Sequence, residues 1–456
     1  MNPKDSPYRF WREYPERDTE YVRYYPPTVG PIDAAGIWQK REMGVYVQIP
    51  FCKSICKYCP FNKYAWQAEK VQHYLTALKK EIALVGGQPY MQAGRVTALN
   101  FGGGTPTSLS TGQLIDLLNC CRDHFDLDPA AEISVEANPE TVDEPKLEAL
   151  LNWGVNRISF GVQSFNDRFL KVIGRAHRAG QSAAAIQLAR GLGLKNIGID
   201  LLYRIPGQTM ADWQRELDRA MELAIDHISI FSLLLNPGTP LFKERQSAKI
   251  APQPAEDVEI AMYERAAQKL SAGGYGHYIV YDFARPGKEC EYHRICWQVP
   301  QREYPGLGAG ANSYLNGYLY TNLNGLDDYI RAVEAGNLPT AFGRKLTKAD
   351  EISRALVLGI KFLEVEKRAF ERQFGIQLDD YFGAALQKLQ EWGLVSNEPE
   401  VLRVTAKGKV YMSNVSKAFY APEHKGKPQP IAVELQKGEG RYLNRLKEIP
   451  PEEVTK

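Results

Sequence analysis

The sequence predicts an α/β protein: a partial, TIM-like (β/α)6 barrel with an N-terminal extension and a small C-terminal winged-helix-like domain. Three observations carry this. Between residues 45 and 233, six short β-branched runs alternate with helical stretches, the pattern of parallel βαβ units. After about residue 240 the alternation stops. From about residue 346, three helical stretches lead to the β-like run Leu402–Thr405, followed by Lys407 and Gly408.

Residues 1–43 are rich in Tyr, Pro and Arg, as in Arg23–Thr28, and read as an irregular or partly helical extension. Candidate strands are Val45–Ile49, Val96–Phe101, Ile133–Ala137, Arg157–Gly161, Asn196–Leu202 and His227–Leu233. Between the first two, Val71, Tyr74, Leu75, Leu78, Ile82 and Val85 make one helical stripe. A helix near 255–272 then leads to a β-like run, Tyr278–Asp282, and a Gly-rich segment, Gly306–Tyr318. The expected division is an extension over 1–43, the barrel and its elaboration over 44–335, the winged-helix-like domain over 336–420 and a partly disordered tail over 421–456. The C-terminal domain reads as an accessory packing unit, with nucleic-acid contact as the minor alternative.

A chain of 456 residues is long enough for a large α/β domain plus a smaller one. Its formal net charge of +2 gives no reason to expect bulk nucleic-acid binding. No apolar run approaches the roughly 18 residues of a membrane helix, and the N-terminal stretch has no signal-peptide core. A cytoplasmic protein without a membrane partner is expected. Of seven cysteines, three crowd into Cys52–Cys59. That odd, clustered set reads as metal ligation in a reducing compartment rather than as disulfides.

Cys52, Cys56 and Cys59 have C-x3-C-x2-C spacing directly after a strand, so they sit on a loop at its C-terminal end. Three thiolates can hold three irons of a [4Fe–4S] cluster and leave the fourth open to a small molecule. A zinc site would want a fourth ligand; His293 with Cys290 or Cys296 is the alternative. The Gly-rich Phe101–Thr107 follows the second strand, as a tight turn or a close approach of backbone to a ligand. Glu136, Gln163 and Asp200 fall at the C-terminal ends of successive strands, and Arg175 follows in the run IGRAH. A barrel gathers its active site at those ends.

These motifs resemble the radical S-adenosylmethionine (SAM) superfamily, and within it the HemN-like branch, that of oxygen-independent coproporphyrinogen III oxidase. The similarity runs from about Tyr46 to Val415 and includes YVQIPFC, FGGGTPT, EANPETV, NRISFGVQSFND, IGRAH, IDLLYRIPGQT and GLGAGANSY. The resemblance implies a [4Fe–4S] cluster on Cys52, Cys56 and Cys59, two SAM molecules, and an electron donor such as flavodoxin or ferredoxin. Tyr46, Gly103 and Glu136 would contact the first SAM. Tyr58, Gly104, Thr105, Gln163, Arg175 and Asp200 would contact the second, with Tyr58, Gln163 and Arg175 also serving catalysis.

Three sub-families compete. The oxidase carries a further cysteine where this chain has Phe61. The haem chaperone carries H-N-x-x-Y-W where this chain has Tyr292-His293-Arg-Ile-Cys296-Trp297. The chaperone shares the Phe at the first of these positions but begins near its first strand, whereas 44 residues precede that strand here. Methyltransferases and cyclopropanases of the branch tolerate both the altered motif and the extension. The expected activity is therefore transfer of a SAM-derived one-carbon unit to an sp2 carbon of a small-molecule substrate. Haem chaperoning and oxidative decarboxylation are the alternatives. Gln48 and Arg204 also depart from the branch, which usually has His and a small residue there, and both are expected near the cavity.

Overall fold

Six parallel strands form the frame: β1 (Met43–Ile49), β2 (Val96–Gly103), β3 (Leu127–Ala137), β4 (Arg157–Gln163), β5 (Ile197–Tyr203) and β6 (His227–Ser232). Each pairs in parallel with the next. The computed structural model describes residues 42–425; the expected extension up to residue 41 and the tail from 426 lie outside the described residues. Five of the six strands are largely buried and rich in Val, Ile, Leu and Phe, as strands covered on both faces must be, and β3 is largely buried only in its second half, from Ala131 on.

The sheet extends beyond these six. β7 (Gly276–Ile279) and β8 (Asp282–Ala284) form an antiparallel pair, and β8 runs antiparallel to β6. β9 (Gly306–Leu307) lies parallel to β1 on the opposite edge. The sheet order is therefore β9-β1-β2-β3-β4-β5-β6-β8-β7. The expected single run Tyr278–Asp282 is thus folded back on itself, with Asp282 in register with Ile279. Periodicity over five residues cannot reveal such a turn. The Gly-rich segment likewise contains strands: β9, Asn312–Leu315 and the start of Tyr318–Asn322.

The first helix, Ala68–Gly86, buries the expected stripe Val71, Tyr74, Leu75, Leu78, Ile82 and Val85. It also carries a buried carboxylate. Glu81 accepts hydrogen bonds from the Gly308 N–H (2.7 Å), Asn322 Nδ2 (2.7 Å) and the Tyr329 hydroxyl (2.5 Å). Three donors from residues far along the chain thus fix the β9 edge to the first helix. Another helix, Met210–Glu222, is held to Glu256–Ala272 through buried Trp213, whose Nε1 donates to Met262 O at 2.8 Å.

A second apolar core, around Leu356, Phe370, Phe382, Leu389 and Phe419, lies beyond residue 350. Helices Lys348–Gly359, Lys367–Phe374 and Leu378–Glu391 surround it with a three-stranded antiparallel sheet, Glu364–Glu366, Val401–Val404 and Val395–Asn397. Buried Arg354 ties this unit to the barrel: it donates to Tyr304 Oη at 3.3 Å and lies 3.9 Å from the centre of the Tyr314 ring. No described helix is long and apolar enough to cross a membrane.

Candidate functional site

The cysteine loop leaves β1 at Pro50 and is fastened at both ends. Tyr64 N donates to Pro50 O and Trp66 N to Cys52 O. In the middle, Lys57 N donates to Ile173 O and Lys57 O accepts from Leu241 N, both at 3.0 Å. Burial pushes the Cys52 thiol up to about 11, against a Thr105 hydroxyl bond, and the neighbouring Cys59 and Cys56 add to the rise. Arg175 supplies positive charge here, with Nη1 3.2 Å from Cys56 Sγ. Among the described residues the three sulfurs are not gathered within 4.8 Å of one another, as ligands of a single ion would be. Three cysteines on one fastened loop, with the Arg175 guanidinium beside one sulfur, are a donor set whose chemistry suits an iron–sulfur cluster. The zinc alternative is not assembled: among the described residues, no group of three His, Cys, Asp or Glu side chains close enough to share one ion includes His293, Cys290 or Cys296.

The glycine loop packs against this. A Cβ on Gly104 would lie 2.8–2.9 Å from backbone atoms of Pro50 and Phe51, so only glycine lets the two loops touch. Gly103, at φ 111, donates its N–H to Glu136 Oε2 at 3.2 Å. A Cβ on Gly102 would meet Glu136 Oε1 and the Tyr46 hydroxyl. Tyr46, Gly103 and Glu136 therefore converge. Thr105 turns instead toward Cys52 and accepts from Asn138 Nδ2 at 3.0 Å.

The other expected residues separate into two groups. Arg175 donates to Gly161 O (2.6 Å) and Asn138 Oδ1 (2.7 Å) as well as to Cys56. Gln163, at φ 66, lies beside Gly161 in that group. Tyr58 packs against the small apolar cluster that contains Phe169 and Ile173, and burial followed by the Cys56 charge holds its phenol well above the usual range. Asp200 belongs to a different set. It lies in register with Ser229, and Ser229 with Asp282. Burial, then the charges of Glu136 and Asp282, push Asp200 up to about 7.

A short helix, Glu291–Trp297, packs on β1 and β2 beside these residues. Glu132 caps its start, accepting from the N–H groups of Glu291 (3.1 Å) and Tyr292 (3.4 Å). Tyr292 stacks on Tyr46 at 5.8 Å, and His293 on Trp297 at 4.9 Å. His293 Nδ1 lies 3.1 Å from Asp282 Oδ2. Burial would raise the Asp282 carboxyl, but its bonds to His293 and Ser229 outweigh that and hold it below the usual range. Asp282, Asn138 and Gly102 were not singled out from the sequence. Asn138 stood inside the quoted EANPETV run. Asp282 had no signal, because its strand is visible only as part of a hairpin.

Residues 46–220 match the radical SAM superfamily and residues 346–411 the HemN C-terminal domain. The heme chaperone HemW of Bacillus subtilis is 35% identical over 382 residues, spanning 82% of this chain and 98% of that protein. This chain belongs to the HemN-like branch of the radical SAM superfamily. Oxygen-independent coproporphyrinogen III oxidase of Salmonella typhimurium is 30% identical over 86% of this chain and 88% of its own length. The solved coproporphyrinogen III oxidase HemN of Escherichia coli superposes with a TM-score of 0.73 at 28% identity, covering 83% of this chain and 90% of its own. Membership in the superfamily implies a [4Fe–4S] cluster and SAM.

These relatives overturn one expectation. One-carbon transfer to an sp2 carbon, by a methyltransferase or cyclopropanase, is corrected: the similarity is to heme chaperones and a porphyrinogen oxidase. The argument for it rested on Phe61 and on the stretch Tyr292–Trp297. The first is one side chain on a loop, and the second remains an ordered helix against the HemN-like barrel. Changes confined to single positions do not outweigh identity spread along nearly the whole relative. The departures at Gln48 and Arg204 also acquire physical readings. Gln48 fills the space beneath Gly103. Arg204 takes φ 60, a conformation that costs a non-glycine residue about 1–2 kcal/mol, and its guanidinium turns to buried Glu259 at 2.9 Å.

Proposed function

We propose that this HemN-like chain binds haem as its cargo, as a chaperone-type radical SAM protein. The observation that carries this reading is the 35% identity extending over 98% of a heme chaperone. The absence of the oxidase's further cysteine at Phe61 agrees with it. The chaperone motif is altered here, so a different residue must meet the iron, and His293 is the candidate. Its Nδ1 is pinned by Asp282 and its ring by Trp297, which leaves Nε2 to act as the donor. A histidine ligand is commonly oriented by a carboxylate on its other nitrogen.

Cys52, Cys56 and Cys59 would hold the cluster, and Tyr46, Gly103 and Glu136 would line the SAM beside it. When bound, the cluster supplies an electron to the SAM sulfonium. The chain's own part is to orient these groups and to neutralise the cysteine loop through Arg175. A second SAM is not part of this proposal: Arg175 is committed to Cys56, Gly161 and Asn138, and Asp200 stands in the separate carboxylate set.

Anaerobic haem titration of the reconstituted protein tests the reading. One haem per chain should bind and give a sharp Soret band. His293→Ala should lose that band while keeping the iron and sulfide of the cluster. Wild-type protein that takes up no haem, yet releases carbon dioxide from coproporphyrinogen with reductant and SAM, would establish the oxidase-type alternative favoured by the structural match to HemN.

A further inference from the structure

The last described turn of the chain brings three side chains of metal-ligating type together. Asp350, Glu423 and His424 each place one donor atom within 4.8 Å of the other two. Asp350 lies in the first turn of the helix Lys348–Gly359, and Glu423 and His424 share the short turn Pro422–His424. Asp350 and His424 are 0% and 2% exposed, whereas Glu423 is exposed, so the group is open to solvent on one side.

The Asp350 carboxylate divides its oxygens. Oδ2 accepts from the Thr347 N–H and from Arg344 Nη2, both at 3.0 Å. Oδ1 lies 2.8 Å from His424 Nε2. Outer partners on one oxygen hold the other toward the imidazole, which is how ligating carboxylates are oriented. A buried His–Asp pair alone would need no third group. Here the backbone also fixes a second carboxylate, Glu423, close to the first. His424 N donates to Ala421 O at 2.9 Å, and Phe419, Tyr420 and Ala421 are buried in the second apolar core. Two carboxylates held together repel unless a cation lies between them, and Arg344 is bonded to the other oxygen of Asp350. We propose that Asp350, Glu423 and His424 form a binding site for a borderline divalent cation of the zinc type. One imidazole nitrogen and two carboxylate oxygens suit that class, and water would complete a tetrahedral set. Calcium and magnesium, which take oxygen ligands, fit less well. The ion would staple the end of the C-terminal unit to the helix Lys348–Gly359. Through Arg344 it would also reach the strand Thr340–Lys345, whose partner Tyr318–Asn322 is bonded to the first helix by Asn322 and Glu81. This inference is independent of the haem reading and of the cluster.

The test uses the reconstituted full chain, so that the cluster cysteines are already occupied, dialysed to equilibrium against zinc buffered at a micromolar free concentration. Metal analysis should find one zinc per chain in addition to the cluster iron. Zinc-edge X-ray absorption should show nitrogen and oxygen neighbours at about 2.0 Å and no sulfur at about 2.3 Å. Glu423→Gln alters an exposed side chain and should fold normally. It should weaken zinc binding at least about tenfold, the smallest effect expected when even an outer partner of a ligand is lost. His424→Gln should do the same, and both should keep the cluster iron. Zinc should raise the thermal midpoint of the wild type and not of either variant. Cys120→Ala removes a separate sulfur–imidazole pair, with Sγ 3.9 Å from His124 Nδ1, and should retain the zinc. No zinc above the cluster iron would overturn the proposal. So would sulfur neighbours, loss of zinc in Cys120→Ala, or equal retention by the wild type and Glu423→Gln.

Discussion

Arg175 places Nη1 3.2 Å from Cys56 Sγ while Nη2 donates to Gly161 O and Asn138 Oδ1. One side chain thus ties a cysteine of the cluster loop to the ends of β3 and β4. A cation bonded to a ligand sulfur stabilises the extra electron of a reduced iron–sulfur cluster. Arg175→Met should still assemble the cluster, but with a more negative midpoint potential. Arg175→Lys should fall between, since a single ammonium cannot make all three contacts. An EPR-monitored redox titration reads the difference, and coincident potentials for all three proteins would show that the contact does not tune the cluster.

The cysteines divide cleanly. Anaerobic reconstitution should give about four irons per chain. Cys52→Ala, Cys56→Ala or Cys59→Ala should each abolish this. Cys120→Ala, Cys121→Ala, Cys290→Ala and Cys296→Ala should not. Cys121 is wholly buried in the apolar core, Cys290 precedes the Glu291–Trp297 helix beside Glu132, and Cys296 is buried against Ile295 and Tyr304. Loss of iron in a Cys290 or Cys296 variant would require another ligand set.

The parallel frame was legible because each of its six strands is a β-branched run separated by helices, a signal that local composition carries. The site was legible only in part. Glu136 announces itself near a strand end, whereas Asp200, expected at one, lies in the middle of β5 because that strand runs on to Tyr203; Asp282 reaches them through an antiparallel hairpin, and His293 through a helix between that hairpin and β9. Those placements depend on pairing between residues distant in sequence, which no local period encodes. The choice of activity went astray for a related reason. Phe61 and Tyr292–Trp297 are short local departures, whereas the discriminating similarity is spread thinly along the whole chain.

Glycine positions give a matched pair of tests. Gly104→Ala would press a methyl group into the Pro50–Phe51 backbone, and overpacking against backbone costs about 1–3 kcal/mol. It should also weaken SAM binding, because the cysteine loop and the glycine loop would be driven apart. Gly112→Ala meets nothing within 4 Å in the first turn of the helix Thr111–His124. It should be neutral or stabilise by about 0.5–1 kcal/mol. Denaturation and equilibrium SAM binding on both variants check this. A Gly104→Ala protein as stable and as tight as wild type would mean that the two loops are not held in this contact.

Glu81 makes stability depend on pH in a direction opposite to that of a paired surface carboxylate. Burial pushes it up to about 7, against the bonds from Tyr329, Gly308 and Asn322. Its folded value therefore lies above the ordinary glutamate value of about 4.3. Between those values the native state holds a proton that the unfolded chain has released, so stability falls as pH rises. The contribution is fully present below about pH 4 and is lost as pH climbs through about 7, a swing on the order of 3 kcal/mol. Asp200, also raised to about 7, adds to the same slope. Glu81→Gln should lower stability by a pH-independent offset, because an amide cannot take all three donors. It should also flatten, without abolishing, the loss between pH 5 and 8. Adding Asp200→Asn should flatten it further. Guanidine unfolding of the three proteins across that range decides the matter. A Glu81→Gln slope equal to that of wild type would place the titration elsewhere and leave the Glu81 cluster as a set of hydrogen bonds to a permanently charged carboxylate.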